Sequence, residues 1–133
     1  MKLAVRIVGA LAIVVMSFVA TLWLLDRKPG TCPAGRVIAL NPPFARFSNS
    51  DIAYFKELRG LDIPADATET PTRSPLVLCE DGDLMGTPHS LHADIMKAGR
   101  GRFSHWGNSM IFSTSDNTNP NANGRAYVAV QPP

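Results

Sequence analysis

A chain of 133 residues with 45% hydrophobic residues and a formal net charge of +2 has room for one domain of ordinary size. Lys2, Arg6, Arg27 and Lys28 flank an N-terminal apolar stretch, while positions 29–133 hold nine basic and ten acidic residues, which argues against a phosphate-neutralising surface and so against nucleic acid as a partner. Two cysteines are too few for a four-thiolate zinc site or a scaffold of several bridges.

The first element in chain order is Ile7–Leu25, IVGALAIVVMSFVATLWLL, 19 residues without a charge. As a helix it would be about 28 Å long, close to the roughly 30 Å of a bilayer core. Trp23 falls where an indole lies at headgroup level, and Asp26-Arg27-Lys28-Pro29-Gly30 stops the run. A cleaved signal peptide is the competing reading. The run exceeds the ~7–15 residues usual for such a peptide, and cleavage after Ala20 would place bulky Phe18 at −3. The sequence therefore predicts a retained single-pass anchor in the inner membrane. Flanking charges are nearly balanced, so orientation rests on the short N-terminal tail, which favours N-inside and a C-terminal domain on the periplasmic side. In that oxidising compartment Cys32 and Cys79 are expected to pair, closing a loop of about 48 residues worth on the order of 3–4 kcal/mol. The alternative is two separate buried thiols.

Residues 29–49 carry Pro29, Pro33, Pro42 and Pro43 and read as irregular chain with a short strand at Arg36–Leu40. Over Asp51–Arg59, Ile52, Phe55 and Leu58 recur at i, i+3 and i+6, Ser50 stands as a cap and Gly60 as a stop, which predicts a short helix. Residues 61–75, with three prolines, read as a surface loop. Leu76–Glu80 is a predicted strand followed by the turn pair Asp81-Gly82. Thr87-Pro88 predicts a helix start, with the helix running from about 88 to 98 and ending at Gly99. Arg102–Trp106 and Ser109–Ser115 read as strands joined by the two-residue turn Gly107-Asn108. That turn pairs Trp106 with Ser109, His105 with Met110 and Phe103 with Phe112. Phe103, His105, Met110 and Phe112 then share one face, and Ser104, Trp106, Ile111 and Ser113 the other. A last strand is expected at Ala126–Val130.

The densest polar cluster is 113–125, STSDNTNPNANGR. Asn and Asp suit turns because their side chains bond nearby backbone. Amides also donate and accept at once, which suits sugar hydroxyls, with Trp106 and Tyr127 as an apolar platform. Asn119, Asn121, Asn123 and Gly124 copy the spacing of a calcium loop, but Val130 stands where a bidentate Glu is needed, so no metal is expected there. His89 and His92 lie three apart on the predicted helix, and with His105 and Asp94 they offer a set for a transition metal or a base. The competing reading is ordinary structural use. No serine sits in a G-x-S-x-G elbow. Arg102 and Arg125 flank the hairpin and the Asn-rich loop, where they can grip an anion or pair with a local carboxylate.

Gly86-Thr87-Pro88-His89-Ser90-Leu91-His92, Gly101-Arg102-Phe103-Ser104-His105-Trp106, Ser115-Asp116-Asn117-Thr118 and Asn123-Gly124-Arg125-Ala126-Tyr127 carry a resemblance. The stretch 80–127 is similar to a module recurring in uncharacterised bacterial envelope-associated proteins, G-x-P-H-x-x-H, then G-R-F-S-H-W, then S-D-N-[ST]-x-P-x-x-N-G-R-x-Y. It also resembles segments in proteins of cell-surface polysaccharide assembly. It covers about a third of the chain, and Asn119 replaces an Asp of the pattern. The resemblance implies a defined domain in a glycan context and transfers no catalytic role.

The expected fold class is α+β. A single N-terminal transmembrane helix precedes a small domain with one short antiparallel sheet (76–80, 103–106, 109–115, 126–130) and one or two helices. The expected division is an anchor at 1–28, a Pro-rich segment at 29–75 and an α+β module at 76–133. The expected role is binding or assembly at the envelope, with a glycan or envelope protein as partner and no cofactor. The expected ligand edge comprises His89, His92, Arg102, His105, Trp106, Asp116, Asn117, Asn123 and Arg125. Two alternatives stand beside it: a small envelope hydrolase or metal-dependent enzyme using His89, His92 and His105, and an accessory subunit that binds through the 7–25 helix.

Overall fold

The structure is a computed structural model that describes residues 30–133; the expected anchor Ile7–Leu25 lies outside them. Eight strands and one helix follow in order: β1 (Arg36–Leu40), β2 (Ala45–Arg46), β3 (Tyr54–Glu57), β4 (Val77–Glu80), β5 (Asp83–Leu84), α1 (His92–Lys97), β6 (Phe103–Trp106), β7 (Ser109–Phe112) and β8 (Tyr127–Gln131). Among the described residues no helix is long and apolar enough to cross a membrane.

The strands form two antiparallel sheets, ordered β1-β8-β4-β5 and β2-β3-β7-β6. This corrects the expected α+β domain with one short sheet: the regular structure of the described residues is mostly strand, in two sheets, and their single helix has six residues. The expected sheet is split, since β4 and β8 belong to the first layer and β6 and β7 to the second. β1 pairs with β8 and β3 with β7, so strands from residues 30–75 share both sheets with strands from residues 76–133. Inner faces of both layers meet in one apolar cluster. Leu40, Leu78, Tyr127 and Ala129 come from the first sheet, and Tyr54, Phe103, Met110 and Phe112 from the second. Burying that much apolar surface is what holds the layers together.

Two hairpins obey their turn chemistry. Asp81 and Gly82 both have positive φ and join Glu80 to Asp83, the left-handed pair that a two-residue turn of this kind requires. Gly107 takes φ +58° and joins Trp106 to Ser109, with His105 opposite Met110 and Phe103 opposite Phe112.

The predicted 51–59 helix is replaced by β3. Ala53, Tyr54 and Leu58 are the buried residues there, and Tyr54–Glu57 bonds to β7 on one side and β2 on the other. The spacing of Ile52, Phe55 and Leu58 did not decide the matter, because long-range pairing with β7 satisfies the backbone better than one isolated helical turn. Ser50 caps a turn instead: its Oγ accepts the backbone N–H of Ala53 at 3.1 Å and donates to the Met96 carbonyl. The later helix is shorter than expected. It begins at His92 after Leu91, without a side-chain cap. Residues 87–90 are drawn away to β6, where Thr87 and Ser90 bond Phe103 in both directions. Gly99 ends the helix at φ +59°, in a place where any side chain would collide with Asn117.

Cys32 and Cys79 form a disulfide. It ties the leading segment to β4, beside the contacts of Cys32 with Gly82 and of Gly30 with Leu84. Breaking it in Cys32→Ser or Cys79→Ser should cost about 3–4 kcal/mol by the loop-closure argument. Urea unfolding of each variant against the parent should show the loss, and reductant should destabilise the parent but neither variant.

Candidate functional site

The sequence-predicted residues divide into two places. His89, His92, His105 and Trp106 gather at β6, which Arg102 immediately precedes; Asp116, Asn117, Asn123 and Arg125 belong to the loop before β8.

β6 bonds to β7 along one edge, and irregular chain covers its other edge. Thr87 and Ser90 bond Phe103, and Asp66 N–H donates to the His105 carbonyl at 2.8 Å. Alternation along the strand then sends His105 inward and Trp106 outward. His105 is buried, with Nδ1 2.8 Å from the Ser74 hydroxyl, and it also bonds the Pro64 backbone. Burial holds its imidazole below the ordinary value, opposed by the charge of Asp66 and the Pro64 bond.

Asp66 is the centre of this edge. Its side chain is 2% exposed. Oδ1 accepts the Ser74 N–H at 2.9 Å, and both carboxylate oxygens face His89 Nδ1 at 3.0 and 2.9 Å. A carboxylate can only accept, so the proton lies on Nδ1 and Nε2 is the outward nitrogen. The His89 side chain keeps 23% exposure and its backbone takes φ +53°, a left-handed conformation costing on the order of 1 kcal/mol for a residue other than glycine.

Above this edge lies a row of aromatic rings. Phe55 meets Phe47 at 6.4 Å between centroids, Phe47 meets His92 at 5.1 Å and His92 meets Trp106 at 5.2 Å, each edge to face. Phe47 and Phe55 pack on a small second cluster of Ala53, Ile95 and Ile111, by which α1 sits on the outer face of the second sheet. Trp106 keeps 38% exposure and Leu91 70%. Burial between the rings pushes the His92 imidazole below its ordinary value. The row was not foreseen in the sequence, because Phe47 and Phe55 come from a segment read as loop and helix.

The three imidazoles face different partners: Asp66 for His89, two aromatic rings for His92, and Ser74 for His105. Among the described residues no group of three or more His, Cys, Asp or Glu side chains is placed to hold a metal ion.

The loop before β8 is bound up in its own structure. Arg125 forks onto Asp116 at 2.9 and 2.6 Å and reaches Glu80 at 3.1 Å. Arg125, with Thr118, holds the Asp116 carboxyl well below the usual range, and Asp116 and Glu80 raise the Arg125 guanidinium. Tyr127 donates to Glu80 at 2.9 Å and accepts from Asn123 at 2.7 Å; burial first, then the Glu80 bond, raises its phenol. Asn117 Oδ1 accepts the Arg100 N–H, Asn121 brackets the Phe44 backbone, and Arg102 donates to the Gly99 carbonyl. The Asn119 and Asn123 oxygens accept the N–H two residues on, which is turn geometry, whereas Asn117 and Asn121 tie the loop to distant chain. A cleft of about 280 Å³ opens beside Glu80, Asp83, Met85, Arg100 and Arg125.

Neither a family model, nor a curated protein, nor a solved structure matches this chain. The site is therefore read from its own chemistry.

Two outcomes are expected. Arg125→Ala leaves Glu80, whose side chain is 9% exposed, without its cation. The loss should be about 2 kcal/mol in urea unfolding, whereas Arg46→Ala, at an exposed pair, should change little. The second concerns acid. His92 and His105 bind fewer protons folded than unfolded, so stability is complete above the ordinary value of about 6.5 and falls as pH drops below it. Asp116 titrates in a lower window. Unfolding free energy should decline from pH 7 to pH 5, with a shallower decline in His92→Phe, which keeps the ring contacts.

Proposed function

We propose that this chain is a binding module of the cell envelope, on the extracytoplasmic side, that holds a linear glycan across the outer face of the second sheet. The observation that carries the reading is the partly exposed row Phe55, Phe47, His92 and Trp106. Sugar rings have apolar faces that pack on aromatic side chains, while their hydroxyls need groups that donate and accept. A shallow groove of about 480 Å³ adjoins the Phe55 end of the row, beside Pro43, Lys56 and Arg59. Lys56 and Arg59 offer donors at that end, and His89 offers a nitrogen near the other. The disulfide supports an oxidising compartment. His92 and Trp106 both fall in the stretch 80–127 that resembles segments of polysaccharide-assembly proteins.

Trp23 and Trp106 are the two tryptophans of the chain, so Trp23→Phe leaves Trp106 as the sole indole reporter. Titrating that full-length variant with solubilised peptidoglycan strands and with chitohexaose should give a saturable change in Trp106 emission with at least one of them. Trp106→Ala should weaken binding tenfold or more by calorimetry, about 1.4 kcal/mol, while Asn123→Ala leaves it unchanged. Absence of saturable binding to both probes by a folded protein would overturn the reading.

A further inference from the structure

We propose that the Asp66–His89 pair is a general-base centre that hydrolyses an acyl ester. Asp66 is buried and has both oxygens on His89 Nδ1, which fixes the ring and its tautomer and turns Nε2 outward. Proton transfer needs that arrangement: a base held by a third group, with its lone pair where a water can reach it. The second imidazole near Asp66 cannot serve. His105 Nδ1 faces the Ser74 hydroxyl at 2.8 Å, a nucleophile–base geometry, but both residues are buried and no substrate meets them. The backbone supports the same choice. His89 is held at φ +53°, and Asp66 and the bonds of residues 87–90 to β6 keep it there, as constrained residues are kept at functional sites.

The reaction class follows from what the pair lacks. Glycosidic cleavage calls for two carboxyl groups flanking the bond. Asp66, the carboxylate of the pair, is engaged by Ser74 and His89 and so is not free to flank such a bond. An ester needs a single group that first takes a proton and later returns it. Water attacks the acyl carbon while His89 Nε2 accepts its proton, forming the new C–O bond and a tetrahedral oxyanion. The oxyanion collapses, the bond to the alkoxide breaks, and the imidazolium returns its proton to the departing oxygen. The products are one carboxylic acid and one alcohol, and the imidazole is again neutral. Ser90 is adjacent, but its hydroxyl donates to the Thr87 carbonyl at 2.8 Å, so water is the nucleophile. The placing of the pair beside Trp106 selects O-acyl groups on a glycan as the substrate; that choice alone rests on the binding reading above.

The test is hydrolysis of p-nitrophenyl acetate by the full-length protein, a probe that needs no glycan contact. His89→Asn is the informative variant, since Asn tolerates left-handed φ and its amide can still donate to Asp66, while it cannot accept a proton from water. The parent should exceed the variant by about 10²-fold in rate, the low end for general-base catalysis, with equal thermal unfolding midpoints. Arg46→Ala, at an exposed pair outside both the base and the aromatic row, should retain the parent rate. Equal rates in the parent and in folded His89→Asn would overturn the proposal. Release of acetate from O-acetylated chitohexaose then addresses the substrate: failure there with hydrolysis of the small ester intact removes the glycan ester as substrate and leaves the base, while glycan binding stands or falls by the titration above.

Discussion

A carboxylate cannot be buried alone. Asp66 has two oxygens and almost no exposure, and the cost of withdrawing it from water is met only if donors come to it. Ser74 N–H and His89 Nδ1–H supply them, and each drags a segment along. The first folds residues 66–74 back on themselves; the second brings residues 87–90 over the edge of β6. That edge would otherwise present open backbone groups. With it covered, β6 is held from both sides, and its outward residue Trp106 meets His92 at the start of α1. The seat of Trp106 beside His92 and the outward His89 nitrogen both follow from satisfying one buried charge, while Phe47 and Phe55 are held by the Ala53, Ile95 and Ile111 cluster.

The two layers are tied by different means. Apolar packing joins their inner faces, and a polar lattice of Glu80, Asp116, Asn123, Arg125 and Tyr127 closes one end. Among the described residues no buried side-chain nitrogen or oxygen lacks a hydrogen-bond partner. On the outer face of the second sheet, by contrast, apolar rings remain partly open to solvent, Trp106 most of all.

Local rules made part of this legible. The Gly107-Asn108 turn dictates its own register, and from that register the inward His105 and outward Trp106 follow directly. The limits of β1, and β4 and β8 to within a residue, could be read from apolar runs bounded by turn residues. The Asn-rich loop announced turn chemistry, and Asn119 and Asn123 do bond nearby backbone. What failed was whatever depended on distant partners. Residues 51–59 have apolar spacing compatible with a helix turn, and pairing with β2 and with β7, more than fifty positions away, makes Tyr54–Glu57 a strand. The division into two sheets is likewise decided by β1 meeting β8 and β3 meeting β7. Asp66 sits among prolines and threonines with nothing local to mark it as buried, and His89 lies 23 positions away.

The most direct measurement of the account is the tautomer of His89, read from long-range proton–nitrogen correlations of imidazole-labelled protein near neutral pH. If Asp66 governs this edge, His89 carries its proton on Nδ1, Nε2 shows the shift of an unprotonated nitrogen when the ring is neutral, and Asp66→Asn abolishes that bias. A ring protonated on Nε2, or one averaging between tautomers as an exposed histidine does, would contradict it.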